Sequence, residues 1–266
     1  MKLKNLSELR RQEPREIVLA PLPREIPMSS FASAKAFTIN RLVRELHKSS
    51  YEWYGFTLAK RDEPERITDI GLPENDRNTS HYTAIGSEHI MEYLESIPED
   101  LVINGWIHSH GNLLCRQFSE TDENNHLTVL DYVTTVLRKP VAKREVLVGD
   151  LELLVKGEYA TRQLERGSVT LITDVPVSEA TLMETVYGGF CYAIVVGDSG
   201  WHRQEIHYKR RGILTGLTSV SRLESSIVLL EGGRSFEETD RELLRNEVRE
   251  KIKPHQPSVV VSLERH

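Results

Sequence analysis

The chain has 266 residues, 39% apolar and 28% charged, a balance that suits a globular protein and excludes a disordered or collagen-like one. Its 34 basic and 40 acidic residues leave a formal net charge of -6, so no global basic field exists to hold nucleic acid. Cys115 and Cys191 are the only cysteines, which excludes a disulfide framework. The opening stretch "MKLKNLSELRRQEPRE" has no apolar signal core, and no apolar run approaches the roughly 18 residues that span a bilayer. Both features point to a cytoplasmic protein without a membrane partner.

Residues 1–25 are charged, carry Pro14, Pro21 and Pro23, and read as an extended arm. In "SFASAKAFTINRLVRELHKSS", Ala36, Ile39, Val43 and Leu46 recur at three- and four-residue steps, which predicts a helix capped by Ser30 or Ser33. Tyr54, Phe56 and Leu58 alternate in "YEWYGFTLAK" as a strand does. A second strand is expected over residues 67–70, and a short helix in "SEHIMEYLESIP". "LVINGWIHSH" reads as a buried strand that runs into histidines. The best helix is "SETDENNHLTVLDYVTTVLRKP". Ser119 stands at its N-cap, Asp122 follows in capping-box spacing, and Leu127, Leu130, Val133 and Leu137 form its apolar stripe.

Residues 140–187 have strand character in places and read as an insertion. "FCYAIVVGDSGWHRQEIHYKRRG" is a hairpin that turns at Asp198, Ser199 and Gly200. Its "YKRRG" end is a small basic patch, read as a solvated strand end, with binding of an acidic partner as the alternative. Residues 216–266 look helical, with Ser235 and Glu238 in capping-box spacing. The mixed order of helices and strands predicts an α/β fold, a sheet with helices packed on it. No G-x-G-x-x-G or phosphate loop supports a doubly wound nucleotide fold.

The chemistry concentrates in "NGWIHSHGNLLCRQFSETDENN". His108 and His110 are two apart, so on a strand both imidazoles point to one face and can share a metal ion. A loop over residues 111–118 can fold Asp122, in the first turn of the following helix, back onto the strand end. Two histidines and one carboxylate leave a fourth position open, as catalytic zinc sites do. A bland reading stands beside this one: the histidines are unliganded, and Ser119 and Asp122 are a capping box alone. Glu52 enters an otherwise apolar strand, and a buried charge is costly unless paired. It suits a proton-transferring acid beside a metal site, or else a solvated strand-end glutamate.

Together, Glu52 in "EWYG", His108 and His110 in "HSH", and Ser119 and Asp122 in "SETD" resemble the JAMM motif of the MPN-domain zinc metalloproteases, deubiquitinase-like isopeptidases, in the form of the prokaryotic-type JAB domain. The resemblance covers residues 26–137 and 188–212. The spacer at 111–118 is one residue longer than is usual in that family, and Gly111 stands where proline is common. The resemblance implies an MPN (JAMM) fold, a mixed central β-sheet flanked by helices and cytidine-deaminase-like. Its catalytic domain would run over 26–215 with the insertion at 140–187, preceded by the arm at 1–25 and followed by a helical C-terminal extension. It implies one Zn2+ per chain held by His108, His110 and Asp122. Glu52 would be general base and then general acid, and Ser119 the hydrogen-bond donor to the oxyanion or the water. The implied partner is a ubiquitin-like protein or peptide substrate, cleaved after its C-terminal tail, which enters as an added strand; a homo- or hetero-oligomer is compatible. The competing reading is a non-catalytic MPN-type scaffold or protein-binding module.

Other residues are expected to matter less. Ser109 faces away from the ion, Trp106 packs behind His108, and Asn104 is a minor hydrogen-bonding candidate. Cys115 is an ordinary loop cysteine and Cys191 a core one. His126 is placed on the surface, and Trp201, His202 and His207 lack a partner acid at useful spacing.

Overall fold

A computed structural model describes residues 15–78, 87–113, 117–146 and 182–254. In chain order its elements are β1 (Glu16–Val18), β2 (Ile26–Ser29), α1 (Ser30–His47), β3 (Tyr54–Lys60), β4 (Asp69–Gly71), β5 (Asn75–Asn78), α2 (Ser87–Ser96), β6 (Leu101–Ser109) and α3 (Glu120–Val136). There follow β7 (Lys139–Val146), β8 (Leu182–Val196), β9 (His202–Gly212), β10 (Thr218–Glu224), β11 (Ile227–Leu230), α4 (Glu238–Lys251) and β12 (Ile252–Pro254). The centre is an 8-stranded mixed sheet in the order β1-β7-β8-β6-β3-β4, extended by β9 and β10 from β8. Only β6 and β8 pair in parallel within it; β3, β7 and β9 lie antiparallel to their neighbours. The α/β expectation is met. No helix among the described residues is long and apolar enough to cross a membrane.

Alternation along the strands builds two cores. Ile107 of β6 and Phe190, Tyr192, Ile194 and Val196 of β8 point to one face and join one core cluster with Ile39 and Val43 of α1 and Leu244 and Val248 of α4. Trp106 and Cys191 point to the other face, under Val129, Leu130 and Val133 of α3 and Ile90 of α2. Cys191 is thus a core residue, as expected. Each fully buried aliphatic side chain of this kind contributes about 1.5–3 kcal/mol by leaving water.

The helix starts differ in detail from the sequence reading. Ser29, one residue earlier than expected, caps α1 by accepting the Ala32 N–H at 3.1 Å. Ser119 caps α3 in a complete capping box with Asp122. The α3 stripe is shifted: His126, Val129, Leu130 and Val133 are buried, whereas Leu127 is 43% exposed. The reason is the helical phase. With Asp122 turned toward the sheet, residues four, seven, eight and eleven positions on share its face, and Leu127, five on, swings off it. At α4 the capping box is Glu237 with Asp240, not Ser235 with Glu238.

The helical reading of 216–266 needs correction. β10 runs antiparallel to β9 over its whole length, from Thr218 opposite Arg211 to Glu224 opposite Glu205, so the sheet continues past residue 215. β11 pairs in parallel with β2. The alternating Thr, Ser and Val of "TSVSRLE" suit an exposed strand and carry no helical period. Within 140–187, β7 and the start of β8 are strands of the main sheet; residues 147–181 lie outside the described residues. Of the arm, Glu16–Val18 forms β1 on the sheet edge beside β7.

Candidate metal centre

β6 is the central strand of the site. It is buried along nearly its whole length, paired with β3 on one edge and β8 on the other. Gly105 allows this packing, because a Cβ there would stand 2.5 Å from the Tyr192 carbonyl oxygen and 2.6 Å from Thr57 Oγ1. His108 lies opposite Tyr54 of β3 and Val195 of β8, and is 0% exposed. Trp106, two residues earlier on the same face, stacks on it with ring centroids 4.3 Å apart. The expected packing role of Trp106 is what the structure shows.

Pairing extends past the strand ends. The Ser109 N–H donates to the Trp53 carbonyl at 2.8 Å, and the His110 N–H donates to the Val196 carbonyl at 3.1 Å. Continuing the β3–β6 register by two residues sets Glu52 beside His110 on the face that His108 shares. Glu52 is 7% exposed. Directly after His110 the chain turns through Gly111 at φ +54, a left-handed conformation that glycine adopts without strain. The Gly111 N–H donates to Ser109 Oγ at 2.8 Å, which occupies that hydroxyl away from the site. The proline common in the resembled family could not replace Gly111 here, since its φ is locked near -65° and it has no N–H.

The capping box brings in the third candidate ligand. Asp122 Oδ2 accepts the Ser119 N–H at 2.7 Å and the Ser119 Oγ–H at 2.8 Å, while the Asp122 N–H donates back to Ser119 Oγ at 3.2 Å. The carboxylate held this way meets both imidazoles. His108 Nε2 is 3.2 Å from Asp122 Oδ1, His110 Nε2 is 3.3 Å from Asp122 Oδ2, and the two Nε2 atoms are 3.2 Å apart. Ligands at roughly 2.0–2.1 Å from a tetrahedral ion stand about 3.3 Å from one another. His108, His110 and Asp122 therefore form a buried set that could hold a metal ion, and they are the one such group among the described residues.

The electrostatics agree with that use. Burial alone would raise the Asp122 carboxyl, but hydrogen bonds from His108, His110 and the Ser119 backbone hold it well below the ordinary carboxylate range. Burial lowers His108 and outweighs the opposing pull of Asp122, so the imidazole is neutral, the form that binds metals. Glu52 moves the other way. Burial pushes it up to about 7; the charge on His110 lowers it in part and that on Asp122 raises it. It sits where a carboxyl can both take and give a proton near neutral pH.

Ser119 is placed at the site with its hydroxyl engaged by Asp122, so donation to an oxyanion would require it to turn away from that carboxylate. Asn104 is not at the site; it bonds Thr57 Oγ1 and the Pro64 carbonyl. Cys115 lies outside the described residues. His126 is no surface residue. It is buried in α3, edge-on to Trp106 at 4.9 Å, Phe118 at 4.7 Å and His207 at 5.1 Å, and 5.9 Å from His108. His207 is also buried and does have an acid, Glu205, 3.4 Å away. The signal for His126 was its place four residues after Asp122; for His207 it was the i, i+2 step to Glu205, which puts both on one strand face. Trp201, in the β8–β9 turn, stands in a T-shaped contact with His110, ring centroids 6.2 Å apart.

No protein-family model and no curated protein matches the chain.

Proposed function

We propose that the chain is a zinc-dependent metallohydrolase that cleaves peptide or isopeptide bonds. The C-terminal tail of a ubiquitin-like protein is the substrate class that the JAMM resemblance implies. The observation that carries this reading is the spacing of His108, His110 and Asp122 at ligand distance from one another, with Glu52 buried beside them. Two imidazoles and a carboxylate suit zinc and leave a position free for water or substrate. When bound, such an ion acts as a Lewis acid and makes water a usable nucleophile near neutral pH.

The residues of the chain supply the remainder. Glu52, with its carboxyl near 7, takes a proton from the attacking water and returns it to the leaving amine. Its burial keeps bulk water from competing for that proton. The capping box fixes Asp122 so that its oxygens do not have to be ordered when the ion arrives. Trp106, stacked on His108, locks the orientation of that imidazole.

The test is an intact-mass cleavage screen that offers ubiquitin-like conjugates and C-terminal fusions to the parent and to Glu52→Gln. The parent should release the tail, and Glu52→Gln should keep its metal while losing about 10²–10⁴ of the rate. If both proteins leave every conjugate intact although the ion is bound, the chain is a scaffold and the hydrolase reading is wrong.

A further inference from the structure

Among the described residues, the sheet is left partly uncovered beyond the end of α3. A groove of about 410 Å³ opens there, lined by Thr134, Arg138, Tyr187, Lys209, Arg211 and Ile213 among others. Lys209 and Arg211 belong to the basic run "YKRRG" of β9. Alternation sends both to the α3 face, while Arg210 between them pairs with Glu16 on the opposite one. Arg138, just past the last turn of α3, lies over the Tyr187 ring at 5.8 Å. No carboxylate lines the groove among the described residues, and neither Arg138 nor Arg211 makes an ion pair there. Lys209 alone is neutralised, by the exposed Asp131 at 2.6 Å. Three cations in one groove stand out in a chain whose net charge is -6.

We propose that this groove docks an acidic, partly apolar peptide segment of another protein. Charge complementarity selects the acid, because unpaired guanidinium groups take carboxylates in bidentate geometry. The apolar component follows from Ile213, which lines the groove and is 62% exposed, in a β9–β10 turn whose Leu214 and Leu217 are 57% and 64% exposed. Aromatic and arginine residues beside exposed aliphatics are the composition of a protein-binding surface. A polynucleotide fits less well, since the net negative chain repels a dense polyanion outside the groove. Asp122 and Thr134 are twelve positions apart on α3, so the groove lies roughly 18 Å along the helix from the metal ligands. It is a separate site and does not depend on the hydrolase reading.

Fluorescence anisotropy tests this with the full chain and four labelled probes: a short glutamate–leucine peptide, an all-glutamate peptide, the glutamate–leucine peptide with lysine for glutamate, and an oligothymidylate. The acidic peptide should bind, weaken by about tenfold in Arg138→Glu/Arg211→Glu, and weaken again at high salt. Both arginines are exposed, so the double variant should melt with the parent. Ile213→Ser should weaken the glutamate–leucine peptide and leave an all-glutamate peptide unchanged. No binding of the acidic peptide, equal binding by the charge-reversed variant, or an oligothymidylate bound as tightly would each overturn the proposal. So would self-association of the chain that the charge reversal abolishes, which would assign the groove to a second copy.

Discussion

His110 Nε2 and Asp122 Oδ2 stand 3.3 Å apart, although the chain leaves the strand, turns through Gly111 and starts a helix between them. The link works because two local devices meet. The strand register aims His110, and the capping box aims Asp122. Each device can be broken separately.

Ser119 tests the second device. Ser119→Ala removes the N-cap acceptor and one of the two Ser119 groups that hold Asp122 Oδ2. The loss of the cap should cost about 1 kcal/mol in chemical denaturation. The loss of a hydrogen bond to a ligand should weaken zinc binding by about 10- to 100-fold in a chelator competition. Asp122→Asn should leave the helix start largely intact and still lose the ion. An Asp122→Asn protein that retains zinc at parental affinity would show that the carboxylate is not a ligand.

Gly111 tests the first device. Gly111→Pro must abandon φ +54 and loses the N–H that bonds Ser109 Oγ, so it should destabilise by about 3 kcal/mol or more. Gly111→Ala should be milder, about 1–2 kcal/mol for the left-handed backbone, plus displacement of Ser50 Oγ, which lies 2.6 Å from the new Cβ position. Thermal melts give the order parent, Ala, Pro. A proline variant as stable as the parent would mean that the turn after His110 has another shape.

Glu52 makes the stability of the metal-free protein pH-dependent. Its folded value, about 7, lies above the ordinary 4.5. The folded state then binds the extra proton, so the stability from this group is fully present below pH 4.5 and is lost as pH rises through 7. The shift corresponds to about 3 kcal/mol. In chelator-treated protein, Glu52→Gln should therefore be more stabilising relative to the parent at pH 8 than at pH 5, read by urea denaturation. An equal difference at both pH values would contradict the placement of this carboxyl in a buried site.

The convergence of His108, His110 and Asp122 was legible in the sequence because it depends on local rules. Strand alternation puts His108 and His110 on one face, and capping-box spacing puts Asp122 at a helix start. Trp106 was legible for the same reason. The phase of α3 was not: Leu127 looks like a core residue until Asp122 is known to face the sheet, and the same rotation buries His126. β10 was not legible because all of it is exposed, and an exposed strand has no apolar alternation to read. His207 and Glu205, two apart on one strand, were a short-range signal present in the sequence, although His207 was expected to lack a partner acid. The groove beside Arg138 and Arg211 joins a helix end to a strand distant in sequence, and only the tertiary fold brings them together.

The most direct measurement is the metal content of the purified chain by native mass spectrometry, with His108→Ala and Asp122→Ala as controls and circular dichroism to verify their folds. The account predicts about one zinc ion per parent chain and nearly none in either folded variant. A parent that takes up no ion when zinc is supplied, or folded variants that keep it, would contradict the account.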